Sequence, residues 1–375
     1  MSAVIDSHET PRVSWLRRFL RRHVDLWLLG LLTLVCVIGL FTLYSAADQS
    51  IDIVVNQAQR LALGIVIMLT LAQTPPEFLH RAAPWLYGVT LVLLITVLVL
   101  GHHSKGAQRW LELGSFRFQP SELMKLGMPL AIAAFLHGRS LPPSPLATLA
   151  ALGLVLGPTA LIAVQPDLGT AVLVLVAGLL TLYFGGLRWR WILISLAAAA
   201  TAAPILWFNL HDYQKARLLT FLNPALDPLG AGYHITQSKI AIGSGGFWGK
   251  GWLMGTQAKL DFLPEAHTDF IFSVYGEEMG MIGALVLLTL YVCIVGRGMV
   301  IAMRGQDSFQ RLLASSLSMT FMVYVFINIG MVIGLLPVVG VPLPLVSYGG
   351  TSMVSLLAGF GMLMSIHTHR KLLVN

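Results

Sequence analysis

Asp269 stands in the segment PEAHTDFIF (264–272), where a polar run gives way to an apolar one, with Glu265 four residues before it and His267 two before it. A carboxylate at a water-to-membrane step is partly desolvated, which suits a general base acting on a hydroxyl. The competing reading makes Asp269 a carboxylate that only stabilises the positive start of a helix, a poorer base. The residues alone leave these two readings level.

Other polar groups interrupt the apolar pattern in the same way. In QPSELMK (119–125), Pro120 suits the first turn of a helix, and Glu122 and Lys125 stand three apart on one face, where they are expected to pair. An ionisable residue at the mouth of a membrane span is costly and is a functional candidate by default. A helix-start ion pair beside a cavity satisfies both a structural and a substrate role. In QPDLGT (165–170), Asp167 falls where a carboxylate caps a helix, and capping is the favoured reading. The stretch GSGGFWGKG (243–251) invites comparison with a phosphate loop, but Ser244 replaces the first glycine of that motif and Gly251 replaces the hydroxyl residue after the lysine. It is not a nucleotide loop. A backbone nest for a lipid-linked phosphate and a re-entrant turn remain, the turn being favoured. The last segment, GVPLPLVSYGGTS (340–352), ends in a small, polar helix start that includes Ser347 and Thr351 and can offer amides to an anion or pack tightly.

The elements that position these groups are membrane helices. Of 375 residues, 56% are hydrophobic and 11% charged, against about a quarter charged in soluble domains. Apolar runs predict ten spans, at 25–46, 54–73, 83–101, 120–137, 146–165, 167–185, 191–209, 270–296, 311–336 and 347–367. The fold class is therefore all-α, a polytopic membrane domain over 1–375, with an amphipathic cytoplasmic N-terminus at 1–24 and a large outer loop at 210–269 between the seventh and eighth spans. The run at 26–44 is too long for a signal peptide and is expected to stay as a helix. Arg17, Arg18, Arg81, Arg139, Arg188, Arg297, Arg304 and Arg370 fall on alternate connections, which places both termini in the cytoplasm. Arg109, Lys239 and Lys250 break that bias on the outer side. The net charge of +7 is scattered between apolar runs, so no nucleic-acid module is indicated. Two cysteines, Cys36 and Cys293, both in apolar runs, support neither a disulfide framework nor a metal cluster.

In order and in hydropathy, QPSELMK, QPDLGT, PEAHTDFIF and GVPLPLVSYGGTS resemble the signature segments of the SEDS (shape, elongation, division, sporulation) family over nearly the whole chain. GAQRW (106–110) and KLDFLPE (259–265) look more like its RodA-type elongation branch than its septal FtsW-type branch. The resemblance implies a peptidoglycan glycosyltransferase of the inner membrane. Its substrate would be lipid II, an undecaprenyl-pyrophosphate-linked disaccharide pentapeptide. A class B penicillin-binding protein and other elongation-complex membrane proteins would be its partners, and its site would face outward. It also implies that Asp269 carries the chemistry, with Arg109, Trp110, Glu122, Lys125 and Asp167 in or around the same cavity. Lys239, Glu265, His267, Ser347 and Thr351 complete the candidate site.

That chemistry fits the residues. Attack of a sugar hydroxyl on an anomeric carbon bearing pyrophosphate needs one base, whereas the leaving pyrophosphate needs cations rather than a protonating acid. Arg109, Lys125 or Lys239 would share the pyrophosphate charge, with a divalent cation as a further candidate and no other cofactor implied. The alternatives are a lipid II flippase, which calls for a polar path across the whole membrane, a silent scaffold, and the septal polymerase.

Overall fold

The computed structural model describes residues 24–104, 107–113, 116–188, 231–260, 262–263 and 265–369, together with single positions between 190 and 220. Its helices begin where the sequence supplies start signals. Asp25 accepts the Trp27 and Leu28 amides at 3.1 and 3.2 Å to open α1 (Leu26–Ala46). After α2 (Ile51–Ala72), prolines at the first turn open α3 (Pro76–Leu100), α4 (Pro120–Leu136) and α5 (Pro145–Val164). Asp167 caps α6 (Leu168–Phe184). A loop helix α7 (Ala231–Gly245) and a single turn α8 (Thr256–Lys259) precede α9 (Ile271–Met303). Asp307 caps α10 (Ser308–Val332), and α11 (Thr351–Thr368) ends the bundle.

Nine of the ten expected spans coincide with helices, within a few residues except at the start of α3 and the end of α9, each of which extends seven residues beyond the expected bound. The seventh, 191–209, falls for the most part outside the described residues, as does the amphipathic N-terminus. Seven of the described helices are long and apolar enough to cross a bilayer, and α6 is a shorter apolar one. α4 carries Glu122 and Lys125, yet 14 of its 17 residues are buried. It is the central helix, packed against α3, α6 and α10, so its charges face protein rather than lipid. α2 and α11 approach closely because Gly64 lies against Leu357, and Gly361 against the Met68 backbone.

Two features depart from an all-helical reading. The outer connection between the third and fourth spans, for which no strand was expected, makes a small antiparallel sheet of β1 (His102–Ser104), β2 (Ala107–Leu113) and β3 (Phe116–Phe118), with Trp110 opposite His102 and Leu111 opposite Phe118. β1 and β3, of three residues each, are too short to show a period in sequence.

The second departure is a break in α9 at Gly280, which has φ 65° and ψ −164°. This frees the Glu277 and Glu278 carbonyls and the Met281 and Ile282 amides, and the glycine-rich segment after α7 satisfies all four. Lys250 N–H donates to Glu277 O and Gly251 N–H to Glu278 O, both at 3.0 Å. Met281 and Ile282 donate to Gly246 O and Phe247 O at 2.9 and 3.2 Å. A Cβ at Gly245, Gly249 or Gly280 would collide with the facing backbone. This stretch has the amides of 249, 250 and 251 all engaged with carbonyls, so those three are not offered to a phosphate. It is a turn that plugs a broken helix. Gly280→Ala forces a side chain into a glycine-only backbone region as well as into Phe247 and Gly249. It is expected to destabilise the protein by more than about 2 kcal/mol, read as a lowered melting midpoint in detergent.

Candidate active site

The four polar segments converge at the end of the bundle that the charge bias assigns to the outside. Glu122 and Lys125 form the expected pair, 2.7 Å apart and both buried. Ser355, one turn into α11, donates to the other Glu122 oxygen at 3.0 Å, and the Tyr324 ring of α10 lies 5.1 Å from the Lys125 amino group. One carboxylate thus ties α4 to α11, and one ammonium ties α4 to α10. The adjoining cavity, bordered by Thr320, Tyr324 and Ser355, is partly open and offers about 30 Å³, room for water beside the pair.

Asp167 does two tasks. One oxygen accepts the Thr170 amide at 3.2 Å, closing the cap of α6; the other accepts from the Gln119 side chain at 2.9 Å. The favoured capping reading is correct, and the same carboxylate joins the start of α6 to the start of α4. Behind it, a Cβ on Gly169 would meet the Val339 carbonyl at 2.6 Å, so the glycine of QPDLGT lets the segment leading into 340–352 lie directly on the helix.

Asp269 lies at the end of a turn, 265–270, and is partly exposed. Glu265 is not one helical turn before it. Glu265 has φ 58° and accepts from the Thr268 hydroxyl at 2.8 Å, because the chain reverses there before α9 starts. Two direct bonds and a bridge through Asn328 fasten this turn to 340–348. Asn328 of α10 donates to the Asp269 carbonyl at 2.9 Å and to Val341 O at 2.7 Å. Ser347 donates to Thr268 O at 2.5 Å while accepting the Leu343 amide, and Tyr348 N–H donates to His267 O at 2.9 Å. The Asp269 backbone is thereby fixed through main-chain and neighbouring groups. The cap position of α9 belongs to Phe270, which makes no side-chain cap bond. Gly340, at φ 73°, leaves the space beside the Asp269 carboxylate open, since a Cβ there would stand 3.6 Å from Oδ2.

The FTSW_RODA_SPOVE family model, described as a cell cycle protein, matches residues 17–372. The chain belongs to the SEDS family. This SEDS chain is 53% identical over 352 residues to the peptidoglycan glycosyltransferase MrdB of Escherichia coli K12, covering 94% of this chain and 95% of that one. It is 38% identical over 319 residues to a probable peptidoglycan glycosyltransferase FtsW of Trichlorobacter lovleyi, covering 83% and 82%. The crystal structure of the rod shape determining protein RodA of Thermus thermophilus superposes with a TM-score of 0.71 at 31% identity, over 92% of this chain and 98% of that one. A chain of a peptidoglycan synthase complex that coordinates polymerisation and crosslinking superposes with a TM-score of 0.79 at 35% identity, over 92% and 97%.

Within the SEDS fold the remaining expected residues are less concentrated. Thr351 is the first residue of α11. The Lys239 chain of α7 lies over Gly334 just past α10, where any Cβ would overlap it, while the preceding Ser238 donates to Val332 O at 2.6 Å. Lys239 therefore sits at the negative end of α10, a position that accounts for its charge without a ligand. Trp110 is on β2 and half-buried; Arg109 precedes it on the strand, its side chain outside the described residues. Sequence reasoning missed Asn328, Gln57, Arg60 and the buried Glu277 and Glu278. The two glutamates anchor the plug. Glu277 pairs with Lys250 at 2.6 Å and accepts the Thr256 amide, while Glu278 accepts from Ser45 and from the Leu253 amide. The rule that selected Glu122, an ionisable group inside an apolar run, applies to all three charged residues in this set.

Proposed function

We propose that this chain polymerises lipid II into glycan strands during cell elongation, as a single 375-residue domain whose site faces outward from the cytoplasmic membrane and whose termini are cytoplasmic. One observation carries the reading. A partly exposed aspartate stands beside the 340–348 loop in a bundle that is 53% identical to a peptidoglycan glycosyltransferase, its backbone carbonyl held by Asn328. Asp269 takes the proton of the acceptor's 4-hydroxyl as that oxygen bonds to the donor's anomeric carbon. The bond from that carbon to the pyrophosphate oxygen breaks, and undecaprenyl pyrophosphate leaves as the anion. One carboxylate suffices because this leaving group needs charge neutralisation rather than protonation. Arg109 is the candidate for that task nearest the sheet, since Lys125 is committed to Glu122 and Lys239 to the end of α10. A class B penicillin-binding protein is the proposed partner, supported by the likeness to a chain of a peptidoglycan synthase complex; other membrane proteins of the elongation machinery would join them.

The broken helix α9 bears on the flippase alternative. Transporters use such breaks to present unpaired backbone groups to a ligand. Here the chain's own Gly246–Gly251 backbone occupies them, which favours a fixed enzyme. The elongation assignment rests on the higher identity to MrdB than to FtsW. Depleting the protein from a rod-shaped cell that depends on it is expected to give round cells, rescued by wild type and not by Asp269→Asn at equal abundance. Filaments would assign the chain to division, and rescue by the variant would make it a scaffold.

A further inference from the structure

Arg60 lies nine residues into α2, about 13 Å along the helix axis from its start, and is partly buried. A guanidinium at that depth is costly unless something compensates its charge. Among the described residues three other cations pair with carboxylates: Lys125 with Glu122, Lys250 with Glu277 and Arg297 with Asp25. Among the described residues none pairs with Arg60. Its neighbour is the Tyr348 ring, whose centroid lies 4.6 Å from the guanidinium carbon, and it reaches to 3.8 Å of the position a Cβ on Gly350 would occupy. One turn earlier on the same face, Gln57 donates to Ser347 O at 3.1 Å and accepts the Gly349 amide at 3.3 Å. This face of α2 is therefore fixed onto the loop that also holds the Asp269 turn, and Tyr348 also meets His267, ring to ring at 5.9 Å.

We infer that Arg60 is a binding residue for the pyrophosphate of a lipid-linked substrate. The inference rests on the polymerase reading above and names a cation for it that sequence motifs did not. A pyrophosphate tethered to an isoprenoid chain enters from the bilayer side, at the depth where a cation on a lipid-facing helix meets it before water does. It supplies the negative charge that the described residues do not. Arginine suits this task because its fork offers paired donors to phosphate oxygens, and the aromatic ring of Tyr348 attracts the guanidinium without neutralising it.

The test is binding of undecaprenyl pyrophosphate, with neutral undecaprenol as control, to purified protein in micelles. Arg60→Met, which keeps length and packing, is expected to lose about tenfold or more in affinity for the pyrophosphate and nothing for undecaprenol. Arg60→Lys should lose less. Equal affinity for the pyrophosphate in wild type and Arg60→Met would overturn the inference, and so would a parallel loss for both lipids, which would mark Arg60 as packing alone. Binding is read without turnover. A wild-type protein that consumes no lipid II would defeat the polymerase reading and leave the binding result to stand or fall by itself.

Discussion

Asp269→Asn is expected to lower the rate of lipid II polymerisation by roughly 10²- to 10⁴-fold, the range of a positioned general base, while the protein melts where wild type does. The turn should keep its place because Asn328 bonds the Asp269 carbonyl and because Ser347 and Tyr348 hold Thr268 and His267 through their main-chain oxygens. The amide has the shape of the carboxylate and cannot take the acceptor's proton. Polymerisation by initial rate, with melting as control, checks this; a variant within threefold of wild type would move the base elsewhere.

The second large effect is on stability. Glu122 and Lys125 are 6% and 7% exposed, so removing either leaves the other charge buried without its counter-ion. Glu122→Gln and Lys125→Met are each expected to destabilise the protein by about 3 to 5 kcal/mol. The double variant should recover most of that loss, because a buried pair replaced as a unit leaves no orphan charge. Melting of the four proteins in one detergent measures the coupling. If the single losses simply add, the 2.7 Å contact contributes little and Lys125 owes its place to Tyr324.

What was legible in the sequence is what lipid makes conspicuous. Apolar runs long enough to cross a bilayer gave the helices, and the polar segments between them, rare in a chain with 11% charged residues, turned out to be neighbours. Gln119 reaches Asp167, Gly169 underlies Val339, Ser355 bonds Glu122, and Ser347 bonds Thr268. Each of those contacts joins residues far apart in sequence. Motif reading could name most of these residues but not pair them, except for Glu122 with Lys125, whose three-residue spacing is a local geometry; Val339 and Ser355 lie just outside the quoted segments. The roles that escaped depend on backbone. The glycines of 243–251 carry no side-chain signal for the helix break they fill at Gly280, and Glu265 could not be seen to adopt a left-handed turn. Arg60 was legible in principle, since a cation inside a span is itself the signal. It stands outside every quoted segment, and attention to motifs passed over it.

The most direct test of the central claim is polymer formation from lipid II by the purified wild-type protein in detergent micelles, with a penicillin-binding partner that has no glycosyltransferase activity of its own. Micelles have no two sides, so a transporter would leave lipid II unchanged there. Our account predicts glycan strands with stoichiometric release of undecaprenyl pyrophosphate. Folded, partner-bound protein that consumes no lipid II would contradict it.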